Sequence, residues 1–279
     1  MESYQIKKVL SNNVVLVTKD DEEMVLIGKG LGFGKKKDMK LENSENIEHI
    51  FVSVDGDKDE SFSRIIGIVD PKIIEFVENL IKMASEEFGI TFKPNVHLGL
   101  MDHLDYAVRR LKEGITIINP FLSEIKIMYE SEFEIGRKAV ESLSSYLEVE
   151  IPEAEIGFIA LHLHSGRENK GKDMVLKETK AINACLLFLA KKLSISWENH
   201  NFDKLRLVLH LKGIVERNRK KHKVKNPILE NIKETLYEDY PMAYNLARML
   251  SRDLELEISE DEVGFIALHI LKLRNNNGD

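Results

Sequence analysis

The sequence predicts a multidomain protein in which a small all-β antiparallel domain precedes two homologous all-α helical-bundle domains. Three observations predict this fold class. β-branched runs between turn residues occupy residues 1–55, apolar residues recur at helical spacing from residue 64 onward, and the helical part contains an internal repeat. The predicted boundaries are 1–56 for the β domain, 57–63 for a linker, 64–170 for the first helical domain and 171–279 for the second.

The composition is that of a globular protein with a modest negative charge. Of 279 residues, 43% are hydrophobic and 31% are charged, and no apolar run approaches the roughly 18–20 residues of a transmembrane helix. The net charge of −7 excludes a protein that coats nucleic acid through bulk positive charge. A single cysteine, Cys185, excludes a disulfide framework and a multi-cysteine metal site. We therefore expect a cytoplasmic protein with no cofactor, no metal and no membrane insertion.

The β domain is predicted from four apolar runs that turn residues separate. Ser11-Asn12-Asn13 lies between the first two runs, and Asp20–Glu23 lies between the second and the third. A unit of this size is marginal as an independent core, so a dimer is expected to stabilise it. The runs are Tyr4–Leu10, Val14–Thr18, Met24–Ile27 and Ile47–Val54.

A glycine-rich basic loop, residues 28–40, follows the third run. It carries five lysines and one aspartate, a local charge of 5 − 1 = +4, although residues 1–55 together carry −2. Its glycines permit close approach to a phosphate backbone, and Phe33 offers a ring for stacking on a base. Asn13 offers a donor and an acceptor to a base edge. Composition alone leaves a second interpretation open, a solvated lysine-rich hairpin with Phe33 in a small core.

The helical part is a duplication. Residues 155–162 and 262–269 agree at seven of eight positions, at an offset of 262 − 155 = 107. The same offset relates Asn119-Pro120 to Asn226-Pro227. Two homologous domains are the economical explanation, because the repeat is longer than a solenoid unit. Pro152-Glu153 and Ser259-Glu260 predict a helix start shortly before each copy of the repeated string.

Each repeat places two histidines 59 residues apart and an arginine seven residues after the first histidine. Positions i and i+7 of a helix share a face about 10 Å apart, so the arginine is placed to approach a group on the histidine. The alternative is that the histidines are packed core residues, which a duplication would repeat as well. The unrepeated His97, His164, His200 and His222 are predicted to be surface or packing residues. The repeated sets are His103, Arg110 and His162, and His210, Arg217 and His269.

Taken together, these motifs resemble the bacterial transcriptional antiterminators of the sugar phosphotransferase system, the BglG/SacY/LicT group, and within it the glucose-type members. The resemblance covers essentially the whole chain. It rests on residues 11–14 and 27–36, on Asp102-His103, Asn119-Pro120-Phe121 and His210, and on the two Gly-Phe-Ile-Ala-Leu-His strings, 157–162 and 264–269.

The resemblance implies an N-terminal RNA-binding homodimer and two regulation domains. The family's RNA-contacting positions fall on Asn13, Gly28, Lys29 and Phe33, and Lys29 stands where several relatives have an arginine and its bidentate fork. The implied partners are a leader-mRNA stem-loop, held against a competing terminator hairpin, the histidine phosphocarrier protein HPr and a sugar-specific enzyme II. The family's phosphorylatable histidines fall on His103, His162, His210 and His269.

Regulation would then follow from charge. A phosphorylated histidine carries roughly −2, which attracts a nearby arginine such as Arg110 or Arg217 and repels facing phosphates. Asp102 matches the family's Asp-His pair in the first domain, but its counterpart in the second is Leu209. The chain is predicted to accept phosphate without being an enzyme. The alternative is a histidine-phosphate carrier, or another enzyme linked to the phosphotransferase system, that uses the N-terminal domain only to dimerise.

Overall fold

The computed structural model describes residues 3–10, 14–20, 22–28, 30–41, 47, 49–52, 69–147, 149–168, 171–198 and 201–276. Within these residues a five-stranded antiparallel sheet precedes ten helices, which confirms the predicted fold class. The chain packs as two compact units, Met1–Ile118 with Glu134–Asn169, and Asn119–Phe133 with Lys170–Asp279. The predicted linker, 57–63, lies outside the described residues, and the domain boundaries stay predictions.

The sheet has the strand order β4-β1-β2-β3-β5, with every neighbouring pair antiparallel. Three of the four predicted runs match strands closely, and the described part of the fourth contains the strand His49–Val52. Strand β4 was not predicted, because two residues carry no periodicity; it forms where the basic loop returns to β1, with the Ile6 amide donating to the Met39 carbonyl at 2.8 Å. The strands are β1 (Tyr4–Val9), β2 (Val14–Lys19), β3 (Glu22–Ile27), β4 (Lys40–Leu41) and β5 (His49–Val52).

One face of the sheet encloses a small apolar core. Alternate residues of β2, Val15 and Val17, are fully buried in it, as the twofold periodicity of a strand requires. Leu31, from the basic loop, is 5% exposed and packs into the same core, so it anchors the loop to the sheet. The other members are Tyr4, Ile6, Met24, Leu26 and Leu41.

The first unit contains helices α1 (Pro71–Phe88), α2 (Pro94–Lys112) and α5 (Glu153–Arg167), with most of α4 (Glu130–Leu147). Helix α1 begins where the Asp70 carboxylate accepts a hydrogen bond from the Lys72 amide at 2.9 Å and proline occupies the first turn. It ends at Gly89, whose φ of 64° is left-handed. Helix α5 begins one residue after Pro152, as the sequence predicts.

The second unit contains α6 (Lys172–Leu193), α7 (Asn201–Arg219), α8 (Leu229–Thr235), α9 (Asp239–Leu254) and α10 (Glu260–Asn275). It also contains the short helix α3 (Leu122–Met128), which the sequence repeat assigns to the first domain. Helix α3 is held in this unit by Lys204, whose Nζ lies 2.8 Å from Glu124 Oε1, and by Lys212, which donates to the Met128 carbonyl at 2.6 Å.

The duplication is visible in the helix bounds. Helices α2 and α7 are offset by 107 at both ends, as are α3 and α8. We call α1, α2, α4 and α5 the first helical module, and α6 to α10 the second. The repeated Asn-Pro pair is structural, because the Asn119 side chain accepts from the Phe121 amide at 3.1 Å and the Asn226 side chain accepts from the Ile228 amide at 3.2 Å. Both turns precede a short helix.

Candidate functional site

The first helical module brings its two repeated histidines face to face. His103 lies on α2 and His162 on α5, and their ring centroids are 5.3 Å apart at an angle of 42°. His162 is buried, and a Cβ on Gly99 of α2 would lie only 3.4 Å from its ring, so the two helices approach closely here. Phe158 packs against the His103 ring with a centroid distance of 5.4 Å.

A buried carboxylate is hydrogen-bonded to His103, the more exposed histidine of this pair. His103 Nε2 donates to Glu155 Oε2 at 2.7 Å; the His103 side chain is 20% exposed and that of Glu155 is 1% exposed. Because an ionised carboxylate only accepts hydrogen bonds, this contact places a proton on Nε2. The second oxygen of Glu155, Oε1, is buried and has no hydrogen-bond partner among the described residues.

Arg110 lies on the same face of α2 as His103, as the spacing predicts, but it makes a different contact. Its guanidinium is over the ring of Tyr106, 5.6 Å from the centroid. His103, Arg110 and Glu155 all line one cavity of about 400 Å³. Its other lining residues are Tyr106, Ala107, Thr116, Ile117, Ile118 and Phe158.

The second helical module repeats the histidine pair but not its hydrogen bonding. His210 on α7 and His269 on α10 have ring centroids 4.8 Å apart at 40°. Glu262, the counterpart of Glu155, accepts two hydrogen bonds from Arg217, from Nε at 2.8 Å and from an Nη at 3.0 Å. Nε2 of His210 is buried and has no hydrogen-bond partner among the described residues.

This environment disfavours protonation of the second pair. Burial, with the charges of His269 and Arg217, lowers the pKa of His210 from 6.5 to about 4. Burial also lowers the pKa of His269, and the nearby Arg206 and Lys272 act in the same direction. Both rings are therefore neutral at pH 7, the form in which an imidazole nitrogen has a lone pair.

The basic loop of the sheet is exposed. Three successive turns shape it, in which the amides of Leu31, Phe33 and Lys35 donate to the carbonyls three residues earlier at 3.1–3.2 Å. Gly30 and Gly34 have φ values of 72° and 68°, which favour glycine. Phe33 is 74% exposed, so the interpretation that places it in a small core is wrong. The lysines at 35, 36 and 37 are exposed beside it.

Several sequence-predicted residues lie elsewhere. Gly28 is buried at the end of β3, while Asn13 and Lys29 lie outside the described residues. His97 is buried and its Nδ1 is 2.8 Å from Glu78 Oε1, which agrees with a packing role. Of the other unrepeated histidines, His164 is buried, His222 is exposed and His200 lies outside the described residues.

Sequence reasoning treated Glu155 and Glu262 only as residues near helix starts, and it gave Tyr106 and its counterpart Gly213 no role. The signal for the glutamates was present, because both begin the repeated eight-residue string. At positions 106 and 213 the signal was a difference, because these positions correspond in the repeat but carry tyrosine in one copy and glycine in the other.

Metal and membrane features are not found in the part of the chain that the structure describes. No group of three or more histidine, cysteine, aspartate or glutamate side chains there is arranged to hold a metal ion. Among the same residues, no helix combines the length and the apolar character that crossing a membrane requires.

A small sheet with an exposed basic loop, followed by two helical modules with facing histidines, defines the class of an RNA-binding regulator with repeated control domains. Comparison with known proteins agrees. The model of the CAT RNA binding domain matches residues 4–60, and that of the PRD domain matches residues 78–166 and 183–273.

Two relatives align with this chain over nearly the whole length of both proteins. "Protein GlcT" of Staphylococcus epidermidis is 30% identical over 272 residues, 97% of this chain and 96% of that protein. The "GlcA/glcB genes antiterminator" of Staphylococcus carnosus is 29% identical over 283 residues, 99% of this chain and 98% of that protein. A solved structure titled "Crystal structure of GlcT CAT-PRDI" is 34% identical, covers 59% of this chain and 98% of its own, and has a TM-score of 0.49.

The chain therefore belongs to the family of antiterminators that join a CAT RNA binding domain to two PRD domains. It is an RNA-binding regulator controlled through its PRD domains, and the naming of its relatives points to a regulator and not to an enzyme. The alternative of a phosphate carrier or enzyme that only dimerises through the sheet is not favoured.

Proposed function

We propose that this chain is a glucose-type antiterminator of the cytoplasm, which acts as a homodimer on a leader-mRNA stem-loop and blocks a competing terminator hairpin. Phosphate arriving on His103, His162, His210 and His269 would control it, with the phosphocarrier HPr and a sugar-specific enzyme II as donors. The observation that carries the proposal is the facing pair of histidine rings in each module, with an arginine and a glutamate beside it.

Phosphate acceptance requires a neutral ring nitrogen. Its lone pair forms the new N–P bond while the bond between phosphorus and the donor's histidine nitrogen breaks, and the donor keeps that electron pair. The facing of two rings at 4.8–5.3 Å means that a phosphate on either one lies next to the other. Two added negative charges per site are sufficient to reorganise an interface by repulsion and by new arginine pairs.

Contact with RNA is proposed for Asn13, Gly28, Lys29 and Phe33. The support for it is the exposed Phe33 ring in a lysine-rich loop, which suits stacking on an unpaired base. In the full chain, Phe33→Ala should weaken binding of the cognate stem-loop about five- to a hundredfold, the effect of about 1–3 kcal/mol of stacking. Because the side chain is exposed, the melting temperature should not change. Normal RNA affinity in this variant would contradict the proposed contact.

The test of regulation is a reporter gene behind the cognate terminator. His103→Ala with His162→Ala should leave antitermination active without the sugar, because the first-module sites are proposed to be inhibitory. His210→Ala with His269→Ala should relieve inhibition less, because the second-module sites are proposed to have the smaller inhibitory effect. If switching survives the first double substitution and disappears with the second, the assignment of the two modules is reversed. Intact-protein mass spectrometry after incubation with phosphorylated HPr, with and without an enzyme II domain, counts the phosphates directly.

A further inference from the structure

The corresponding glutamates of the two modules bond different partners. In each module, one buried glutamate bonds a residue of the facing helix, a histidine in the first module and an arginine in the second. Glu155 is bonded to His103 at 2.7 Å, whereas Glu262 is bonded twice to Arg217, at 2.8 and 3.0 Å. Where the glutamate holds the histidine, the arginine makes no ion pair among the described residues; where it holds the arginine, His210 Nε2 is left without a hydrogen bond there.

The residue four positions before the arginine differs between the two modules. In the first module this residue is Tyr106, and Arg110 stacks on its ring at 5.6 Å. In the second module it is Gly213, and a Cβ there would lie 2.9 Å from Nη1 of Arg217. Arg217 therefore passes over the helix surface at Gly213 and from there reaches Glu262. A side chain at 213 would require the end of the Arg217 side chain to shift.

We propose that Glu155 and Glu262 are positioning residues for the phosphate-accepting histidines, and that Tyr106 and Gly213 select which partner each glutamate holds. This inference rests on the proposed function for its consequence, although not for its geometry. In the first module Nε2 of His103 carries a proton and is held by Glu155, so that nitrogen accepts a phosphoryl group only after the contact breaks. In the second module Nε2 of His210 has no such contact, and while Arg217 stays on Glu262 it offers a phosphate only the N–H groups that Glu262 does not hold.

The geometric part is tested by nitrogen NMR of the full chain labelled in its histidine rings, at one fixed pH. Signals of His103 and His210 are identified by their loss in His103→Gln and His210→Gln. In the wild-type chain His103 should show a proton on Nε2. Tyr106→Gly, which removes the ring that Arg110 stacks on, and Glu155→Gln, which replaces the charged carboxylate with a neutral amide, should both shift the His103 ring signals. Tyr106→Phe keeps the stacking ring and should restore the wild-type spectrum.

The reciprocal variant is Gly213→Tyr, with Gly213→Ala as a smaller change that also favours the helix. Each should move Arg217 off Glu262 and give His210 the Nε2–H signature of His103. Unchanged His103 signals in both Tyr106→Gly and Glu155→Gln, or unchanged His210 signals in both Gly213 variants, would overturn the assignment.

The functional part is tested by the rate at which the second module loses phosphate, followed by intact-protein mass spectrometry after phosphorylation with HPr. Glu262→Gln should slow this loss about fivefold or more, the low end of coupling between linked sites, because Arg217 becomes available to the phosphate. Equal rates in variant and wild type would contradict a competition between Glu262 and phosphate. A wild-type chain that accepts no phosphate would instead contradict the proposed function, and the ring spectra would still decide the geometric assignment.

Discussion

The first and second helical modules have the same fold but differ in what their common residues bind. The helices that carry the histidines superimpose in sequence at one offset, and both ring pairs are 4.8–5.3 Å apart. Yet Glu155 takes a histidine as its partner and Glu262 takes an arginine. A duplicated backbone thus fixes which side chains are neighbours, and we propose that the residue at one position, Tyr106 or Gly213, decides which neighbours bond.

The surroundings of the two cavities differ as well. Residues 217–225 of the second module contain six lysines and arginines and no acid, a charge of +6, whereas residues 110–118 of the first contain Arg110, Lys112 and Glu113, a charge of 2 − 1 = +1. Lys221 and Lys223 line a cavity of about 810 Å³ together with four acidic residues, Glu255, Glu257, Asp261 and Glu262. At the position that corresponds to Lys225, the first module has Ile118, which is 74% exposed. The segment that begins at Arg217 is therefore strongly basic, whereas the matching segment of the first module is nearly neutral.

The largest expected difference is a response of the second module to acid. The pKa of His210 falls from 6.5 to about 4 on folding, so the unfolded chain takes up this proton first. The contribution of the neutral His210 ring to the free energy of unfolding is fully present above about pH 6.5. It decreases as the pH falls toward 4, by up to about 3 kcal/mol in all. Urea unfolding followed by Trp197, the only tryptophan, measures it, because this residue lies in the second unit, where its indole donates to the Leu186 carbonyl at 3.2 Å.

The control separates this proton from general acid sensitivity. His210→Gln should be less sensitive to pH between 7 and 4 than the wild-type chain. Val215→Ala, a buried apolar truncation on the same helix, should lower stability by a similar amount at both ends of the range. Parallel pH profiles for wild type and His210→Gln would show that the second histidine pair is not held neutral by burial.

The next largest expected effect is the loss of folding stability when each arginine is replaced. Arg217→Met leaves Glu262, whose side chain is 8% exposed, without its two hydrogen bonds. Breaking a buried pair costs about 3–5 kcal/mol, and because the Arg217 side chain is 32% exposed we expect about 2 kcal/mol. Arg110→Met removes only a stacking contact on an exposed tyrosine, worth about 0.5–1 kcal/mol. Circular dichroism at increasing urea measures both, and equal losses would contradict the difference in pairing.

The fold and the histidine sets were predictable because both leave periodic or repeated signals. β-branched runs such as Val14–Thr18 predicted the sheet, and the repeat at an offset of 107 predicted two similar helical modules with two histidines each. Helix starts at Glu153 and Glu260 followed from the preceding proline and serine.

The hydrogen bonding of the site was not predictable, because it depends on side-chain competition in space. Spacing placed Arg110 and Arg217 identically on their helices. Only the structure shows that Arg110 lies over a tyrosine ring and that Arg217 is bonded to a carboxylate. The exposure of Phe33 was likewise undecided by composition, because a glycine-rich loop places a ring inward or outward according to its turns. Strand β4 was missed for its length of two residues.

The smallest effect concerns how fast an anionic phosphate donor reaches each module. Exposed lysines in the basic segment 217–225 of the second module attract an anion before any specific contact forms, and such fields raise association rates by about tenfold or more at low salt. Substituting Lys221, Lys223 and Lys225 by serine should therefore lower the initial rate of phosphorylation at His210 and His269 about tenfold. His103 and His162 provide the internal control, since their cavity rim is unchanged. Phosphoramidate is the donor to use first, because it is a small anion that requires no protein contact.

Ionic strength distinguishes steering from a specific binding site. At about 1 M salt the screening length falls to about 3 Å, so a rate difference that arises from the field should disappear. A tenfold deficit that persists in the lysine variant at high salt would mean that these side chains contact the donor directly. A deficit that appears equally at His103 would show that these lysines do not distinguish the modules. Phosphorylated HPr is the second donor. A larger salt effect with HPr than with phosphoramidate would indicate that the lysines also contact acidic groups on the protein donor. The two modules would then differ in the partner that they attract as well as in the residue that their glutamate binds.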